Sequence, residues 1–74
     1  MLVEKESEEI RVLIGKGIDE LSPVYKEIID LYYFENFNYK EISDILHIPI
    51  GTVGIRLSRA RGALKKSFIK HNHE

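Results

Sequence analysis

The sequence contains no cysteine and no tryptophan, and only one methionine and two prolines in 74 residues. Without cysteine, neither a disulfide staple nor a thiolate zinc site can support the core. No apolar run approaches the roughly 18–20 residues of a membrane span, and no signal-peptide pattern opens the chain. A cytoplasmic location without a membrane partner is therefore expected. So short a chain allows one small domain, residues 1–74, and leaves little room for a deep pocket with its supporting shell. Catalysis has little support. Ser7, Ser22, Ser43, Ser58 and Ser67 lie on expected helices or caps with no Gly-x-Ser-x-Gly elbow, and no carboxylate has a histidine partner at motif spacing. No glycine-rich loop could cradle a phosphate. Neither an enzyme, a cofactor nor a small-molecule substrate is expected. His71 and His73 would supply two ligands from a fraying tail, short of a closed metal site, so no metal is expected either.

What is present is a chain that is 43% hydrophobic with 11 basic and 12 acidic residues, a formal net charge of −1. That number is a sum of opposites. Residues 1–48 carry five basic and eleven acidic groups, a net of −6. Residues 49–74 carry Arg56, Arg59, Arg61, Lys65, Lys66 and Lys70 against Glu74 alone, a net of +5. An acidic body joined to a basic C-terminal third hints at polyanion contact at one end, although ordinary solvated lysines would give the same count.

Apolar periodicity predicts an all-α fold of four helices. The first spans about Glu4 to Glu20, with Ile10, Leu13, Ile14, Ile18 and Leu21 at three- and four-residue steps, weakened by Gly15 and Gly17. Ser22-Pro23 marks a new start, serine as N-cap and proline at the first helical position. Val24, Ile28, Leu31 and Tyr32 then continue an apolar stripe to about Phe34. Tyr32, Tyr33, Phe34 and Phe37 are expected in the core more than as base-stacking platforms. Asn38 with Glu41 three residues on is a capping box for a short helix from Tyr39 to Leu46, with Ile42, Ile45 and Leu46 inward. His47-Ile48-Pro49 is the turn, with Pro49 suited to the first position of a last helix that reaches about Lys70. Its inner stripe is Ile50, Val53, Leu57, Ala60, Leu64 and Phe68. A short helix, a tight turn and a longer helix with a basic outer face describe a helix-turn-helix over residues 38–70, and a generic helical bundle is the competing description.

The stretch from Leu21 to Phe68 resembles region 4 of bacterial sigma factors, especially the extracytoplasmic-function group. The likeness is carried by L-S-P-x-Y-K-E-I-I at 21–29 and Tyr39-Lys40-Glu41-Ile42. It continues through I-L-H-I-P-I-G-T-V at 45–53 and R-L-S-R-A-R at 56–61. LuxR-type output domains share the layout but usually lack the R-A-R run. The resemblance implies a module that docks double-stranded promoter DNA at the −35 element, binds the β flap of core RNA polymerase, and meets an anti-sigma factor in some members. Nothing resembles region 2, so the chain is expected to be a domain of a longer sigma factor or a stand-alone relative.

On a wheel at about 100° per residue, the outer face of the last helix holds Gly51, Thr52, Ile55, Ser58, Arg59, Gly62 and Lys66. Arg59 is the expected base reader, since a guanidinium pairs bidentately with guanine O6 and N7. Thr52 and Ser58 add contacts to base or phosphate. Arg56, Arg61, Lys65 and Lys66, with Lys40 and the Tyr39 hydroxyl, are expected at phosphates. Ile18, Val24 and Tyr25 are candidates for a protein partner. Most relatives carry a basic residue and then Ser or Thr where this chain has Gly54 and Ile55. Three readings of that departure stand open: Ile55 on a thymine methyl, a smooth Gly51–Ile55–Ser58–Gly62 strip for a protein helix, or a weakly read promoter. The second would make the chain a protein-interaction module with reduced DNA contact.

Overall fold

The computed structural model describes residues 8–71, with side chains placed from Arg11 to Lys70. Four helices and no strand occur among the described residues: α1 (Glu8–Gly17), α2 (Pro23–Ile29), α3 (Tyr39–Leu46) and α4 (Ile50–His71). The first expected helix is shorter than its periodicity suggested. It ends at Gly17 and passes into a 3₁₀ turn, Ile18–Glu20. Gly17 is buried against α4, where an added Cβ would stand 3.3 Å from Ser67 Oγ and 3.4 Å from Leu64 Cδ2. Glycine at this point lets the end of α1 approach α4 closely. Ser67 Oγ also donates to Glu20 Oε1 at 2.8 Å, which ties the 3₁₀ turn to the same helix.

α2 starts as the sequence predicts, with Ser22 as N-cap and Pro23 in the first turn. Its end is different. Instead of running as α-helix to Phe34, the chain widens into a π turn over Asp30–Phe34, closed by Glu35 N–H donating to Asp30 O at 2.9 Å. Asn36 then reverses the chain at φ 65°, a left-handed conformation that Asn tolerates better than most residues. Phe37 N–H reaches back to Leu31 O at 3.0 Å, one residue further than the usual capping bond, because the turn before it is wide. The consequence is a split among the aromatics. Tyr33 is buried at 5% exposure, Tyr32 and Phe37 are half-buried, and Phe34 faces solvent rather than the expected core.

The centre of the molecule is α4, which packs against α1, α2 and α3 in turn. Val53, Leu57, Ala60 and Leu64 recur at steps of four, three and four and are fully buried. They meet Ile28 and Ile29 of α2, Ile42 of α3, and Leu13 and Ile14 of α1 in one apolar cluster. Ile45, Ile50 and Val24, expected on inner stripes, are exposed. Each sits at the edge of its stripe: Ile45 flanks Ile42 on the outer side of α3, Ile50 opens α4 a turn ahead of Val53, and Val24 lies in the first turn of α2. No helix of the described residues is long and apolar enough to cross a membrane.

Candidate nucleic-acid interface

The geometry of the motif is fixed by local hydrogen bonds. Asn38 Oδ1 accepts from Glu41 N–H and Glu41 Oε1 accepts from Asn38 N–H, both at 2.8 Å, so the expected capping box is complete. At the other end of α3, His47 takes a left-handed conformation (φ 59°, ψ 45°). The N–H groups of His47 and Ile48 both turn back to Ser43 O, the latter at 3.2 Å, in the pattern that ends many helices at a left-handed residue. Ser43 Oγ donates to Ile48 O at 2.6 Å, fixing the turn from the side-chain direction as well. Pro49 falls one residue before its expected place. It is the N-cap of α4, and its carbonyl accepts from Thr52 and Val53 N–H at 2.9 and 3.2 Å.

From this start α4 projects its outer face. Ile55 is 55% exposed; Gly51, Ser58, Arg59, Gly62 and Lys66 are exposed too, and Thr52 and Arg56 are half-buried at the margins. Six cations and no carboxylate lie on this helix. A shallow notch of about 250 Å³ is lined by Thr52, Ile55, Arg56 and Arg59 together with Tyr25, which reaches across from α2. The structure thus brings together three of the four expected base-facing residues, with Ser58 exposed outside the notch.

The remaining expected site residues are distributed less simply. Arg61 is half-buried, and its Nη1 donates to the Tyr33 hydroxyl at 3.2 Å. Lys65 stands on the opposite flank of α4, at the rim of an apolar groove formed with Val12, Leu13, Phe68 and Ile69. Lys40 pairs with Asp44 one turn along α3 at 3.3 Å on a well-exposed surface. Such a pair contributes only about 0–1 kcal/mol, so the ammonium can be recruited elsewhere at small cost. Tyr39 is half-buried, its ring edge-on to Tyr32 at 5.5 Å between centroids, with Cε2 3.4 Å from where a Cβ at position 54 would lie. Tyr32 in turn meets Tyr33 edge-on at 5.0 Å. A chain of three tyrosines therefore runs beneath the motif from Gly54 to Arg61.

The three candidate partner residues do not share one surface. Ile18 lines a groove with Asp19, Pro23, Lys26, Glu27 and Asp30, Val24 is exposed on α2, and Tyr25 faces the notch on α4. One residue and one neighbourhood escaped the sequence reading. Tyr33 looked like ordinary core, and nothing local signals a hydrogen bond to a residue 28 positions away. Tyr25 was read as a candidate for a protein partner, but not as a neighbour of Ile55. The two tail histidines lie outside the residues whose side chains are described. No group of three or more metal-binding side chains occurs among the described residues.

The family described as Sigma-70, region 4 matches residues 11–64. Among curated proteins, the ECF RNA polymerase sigma factor SigW of Bacillus subtilis is 40% identical over 60 residues, covering 81% of this chain and 32% of that protein. The RNA polymerase sigma-H factor of Pseudomonas aeruginosa is 32% identical over 61 residues, covering 82% of this chain and 32% of its own. The ECF RNA polymerase sigma-E factor of Escherichia coli K12 is 36% identical over 58 residues, 78% of this chain and 30% of that protein. The chain thus spans about a third of the length of these relatives. No solved structure matches it. The matched segment takes in most of α1, all of α2 and α3, and α4 through Leu64, the last of its fully buried residues. On this match and these identities, the chain belongs to the sigma-70 region 4 family, of the extracytoplasmic-function type.

Proposed function

We propose that this chain is the promoter-binding region of a sigma factor, laying α4 in the major groove of the −35 element while the acidic body meets RNA polymerase at the β flap. The observation that carries the reading is α4 itself: six cations and no carboxylate on the helix, and an exposed arginine, Arg59, on its outer face, with the helix start fixed by the Ser43–Pro49 turn. A recognition helix reads bases with the first turns of its outer face, and Thr52, Ile55, Ser58 and Arg59 occupy that stretch. Arg56 and Lys66 flank it toward phosphates, with Lys40 and the Tyr39 hydroxyl on the α3 side. Arg61 and Lys65 lean toward the body and serve DNA less directly.

A second surface favours a protein contact as well. The groove between α1 and the end of α4 is mainly apolar, with Val12 and Ile69 exposed along it. Polymerase or an anti-sigma factor is the partner that the family membership suggests, without assigning either to this groove.

The test of the DNA reading begins with selection of a duplex from a random library, followed by binding of wild type and Arg59→Ala. Loss of a bidentate guanine contact weakens binding by about 1–3 kcal/mol, roughly 5- to 150-fold, at the selected site and much less on scrambled DNA. Equal, weak binding of both proteins to both duplexes would overturn the reading in favour of a protein-interaction module.

A further inference from the structure

The notch on the outer face of α4 carries more than a general affinity for DNA. Its lining is mixed in a specific way. Ile55 supplies an exposed branched aliphatic group, and Tyr25 from α2 supplies a ring. Arg56 and Arg59 add two guanidinium-bearing side chains to the lining, and Thr52 adds a hydroxyl. An aliphatic side chain more than half exposed beside two cations gains nothing from solvent, and the cations favour an anionic cover over a basic one. A polyanion that also presents a small apolar group suits both features. In the major groove of duplex DNA that group is the C5-methyl of thymine. No other base carries a methyl group there, and against their hydrogen-bonding edges an isoleucine would desolvate polar groups without return.

We infer that Ile55, backed by Tyr25, is a specificity-determining residue that seats a thymine methyl next to the base pair read by Arg59. The inference rests on the DNA-binding reading above. Residues 55 and 59 are four positions apart, about 6 Å along the axis, and successive bases are stacked at about 3.4 Å. Their two contacts therefore fall one or two base pairs apart. The preferred site has a guanine and a thymine at that spacing, each on the strand whose groove edge faces α4.

Deoxyuridine tests this directly, because it pairs as thymine does and lacks only the methyl group. The full chain is titrated by fluorescence anisotropy against its selected duplex and against copies with each thymine in turn replaced by deoxyuridine. One replacement near the Arg59 guanine is expected to weaken binding about four-fold, the worth of one buried methyl(ene) at about 0.8 kcal/mol. Ile55→Ser is expected to bind the thymine and deoxyuridine duplexes equally. Salt-sensitive, sequence-selective binding in which no thymine responds to methyl removal overturns the seat while leaving the DNA reading intact, as does an undiminished methyl effect in Ile55→Ser. Absence of selective binding to any duplex overturns both.

Discussion

Gly54 is the position where stability and DNA contact can be separated by two substitutions. It lies mid-way through the first half of α4, half-buried beside Tyr39, and a Cβ there would sit 3.4 Å from Tyr39 Cε2. That distance is ordinary van der Waals contact, so the ring has no need to move. Glycine in a helix interior is about 0.8–1.0 kcal/mol less favourable than alanine, mostly through the greater freedom it gives the unfolded chain. Gly54→Ala is therefore expected to stabilise the protein by close to 1 kcal/mol. In a domain of this size that raises Tm by about 4–8 °C, read by far-UV circular dichroism. Gly62→Ala is the control. Gly62 is exposed with nothing within 4 Å of its Cβ position, so its gain is propensity alone. The difference between the two variants isolates the Tyr39 contact.

Gly54→Lys then adds the charge. Lysine is nearly as good a helix former as alanine, so most of the stabilisation is expected to remain. If the new ammonium reaches a phosphate, the slope of log binding constant against log salt steepens by about 0.9. A lower Tm for Gly54→Ala than for wild type would refute the packing argument and show that Tyr39 requires a bare backbone beneath it. A stable Gly54→Lys with an unchanged salt slope would refute the placement of DNA along this part of α4.

Two further substitutions address the turns that aim the motif. Asn38→Ala removes the acceptor for Glu41 N–H and should destabilise by about 1 kcal/mol, within a range of roughly 0.5–2, lowering Tm by several degrees; an unchanged Tm would mean the reciprocal Glu41 bond holds the helix start alone. His47→Gly relieves a left-handed conformation that is unfavourable for a residue with a Cβ by about 1–2 kcal/mol, partly offset by the extra freedom of glycine in the unfolded chain, so a modest rise in Tm is expected in thermal unfolding. A fall instead would reveal contacts of the imidazole that outweigh the backbone term.

The starts of α2, α3 and α4 were legible because they are written in local chemistry. Ser22-Pro23, the Asn38–Glu41 box and the residues around Pro49 act within a few positions of themselves, and the structure moves Pro49 by a single residue. The inner stripe of α4 was legible for the same reason: a 3.6-residue period needs no knowledge of its partner. What escaped the sequence depends on where other helices lie. The π turn at Asp30–Phe34 rotates Tyr33 inward and Phe34 outward, a choice that period alone assigns the other way for the second ring. Edge positions such as Ile45 and Ile50 read as core because a stripe has a width, and only the packed neighbour decides how much of that width is covered.

The same limit bears on the charge. A net of −1 divides into −6 before Pro49 and +5 from it onward, which locates the basic surface but does not say which cations can leave the protein for a phosphate. The fold answers that unevenly. At about 100° per residue, Arg59, Lys66 and Lys70 fall within about 20° of one line along the outer face, and all three are exposed. Arg61 is engaged by the Tyr33 hydroxyl, and Lys65 stands beside the α1 groove. Six cations on one helix therefore do not make six phosphate contacts. With Arg59 on a base and Arg56, Lys66 and Lys70 at phosphates, α4 contributes a salt slope of about −2.7, against about −4.5 if Arg61 and Lys65 joined them. Single neutralisations decide between these. Lys66→Gln is expected to make the slope shallower by about 0.9, while Lys65→Gln leaves it where it was. Tyr33→Phe removes one acceptor of Arg61 and keeps the ring in the core, so it should steepen the slope if the guanidinium swings outward. An equal loss for Lys65→Gln and Lys66→Gln would show that DNA wraps both flanks of α4, and that the flank assigned here to the body belongs to the interface.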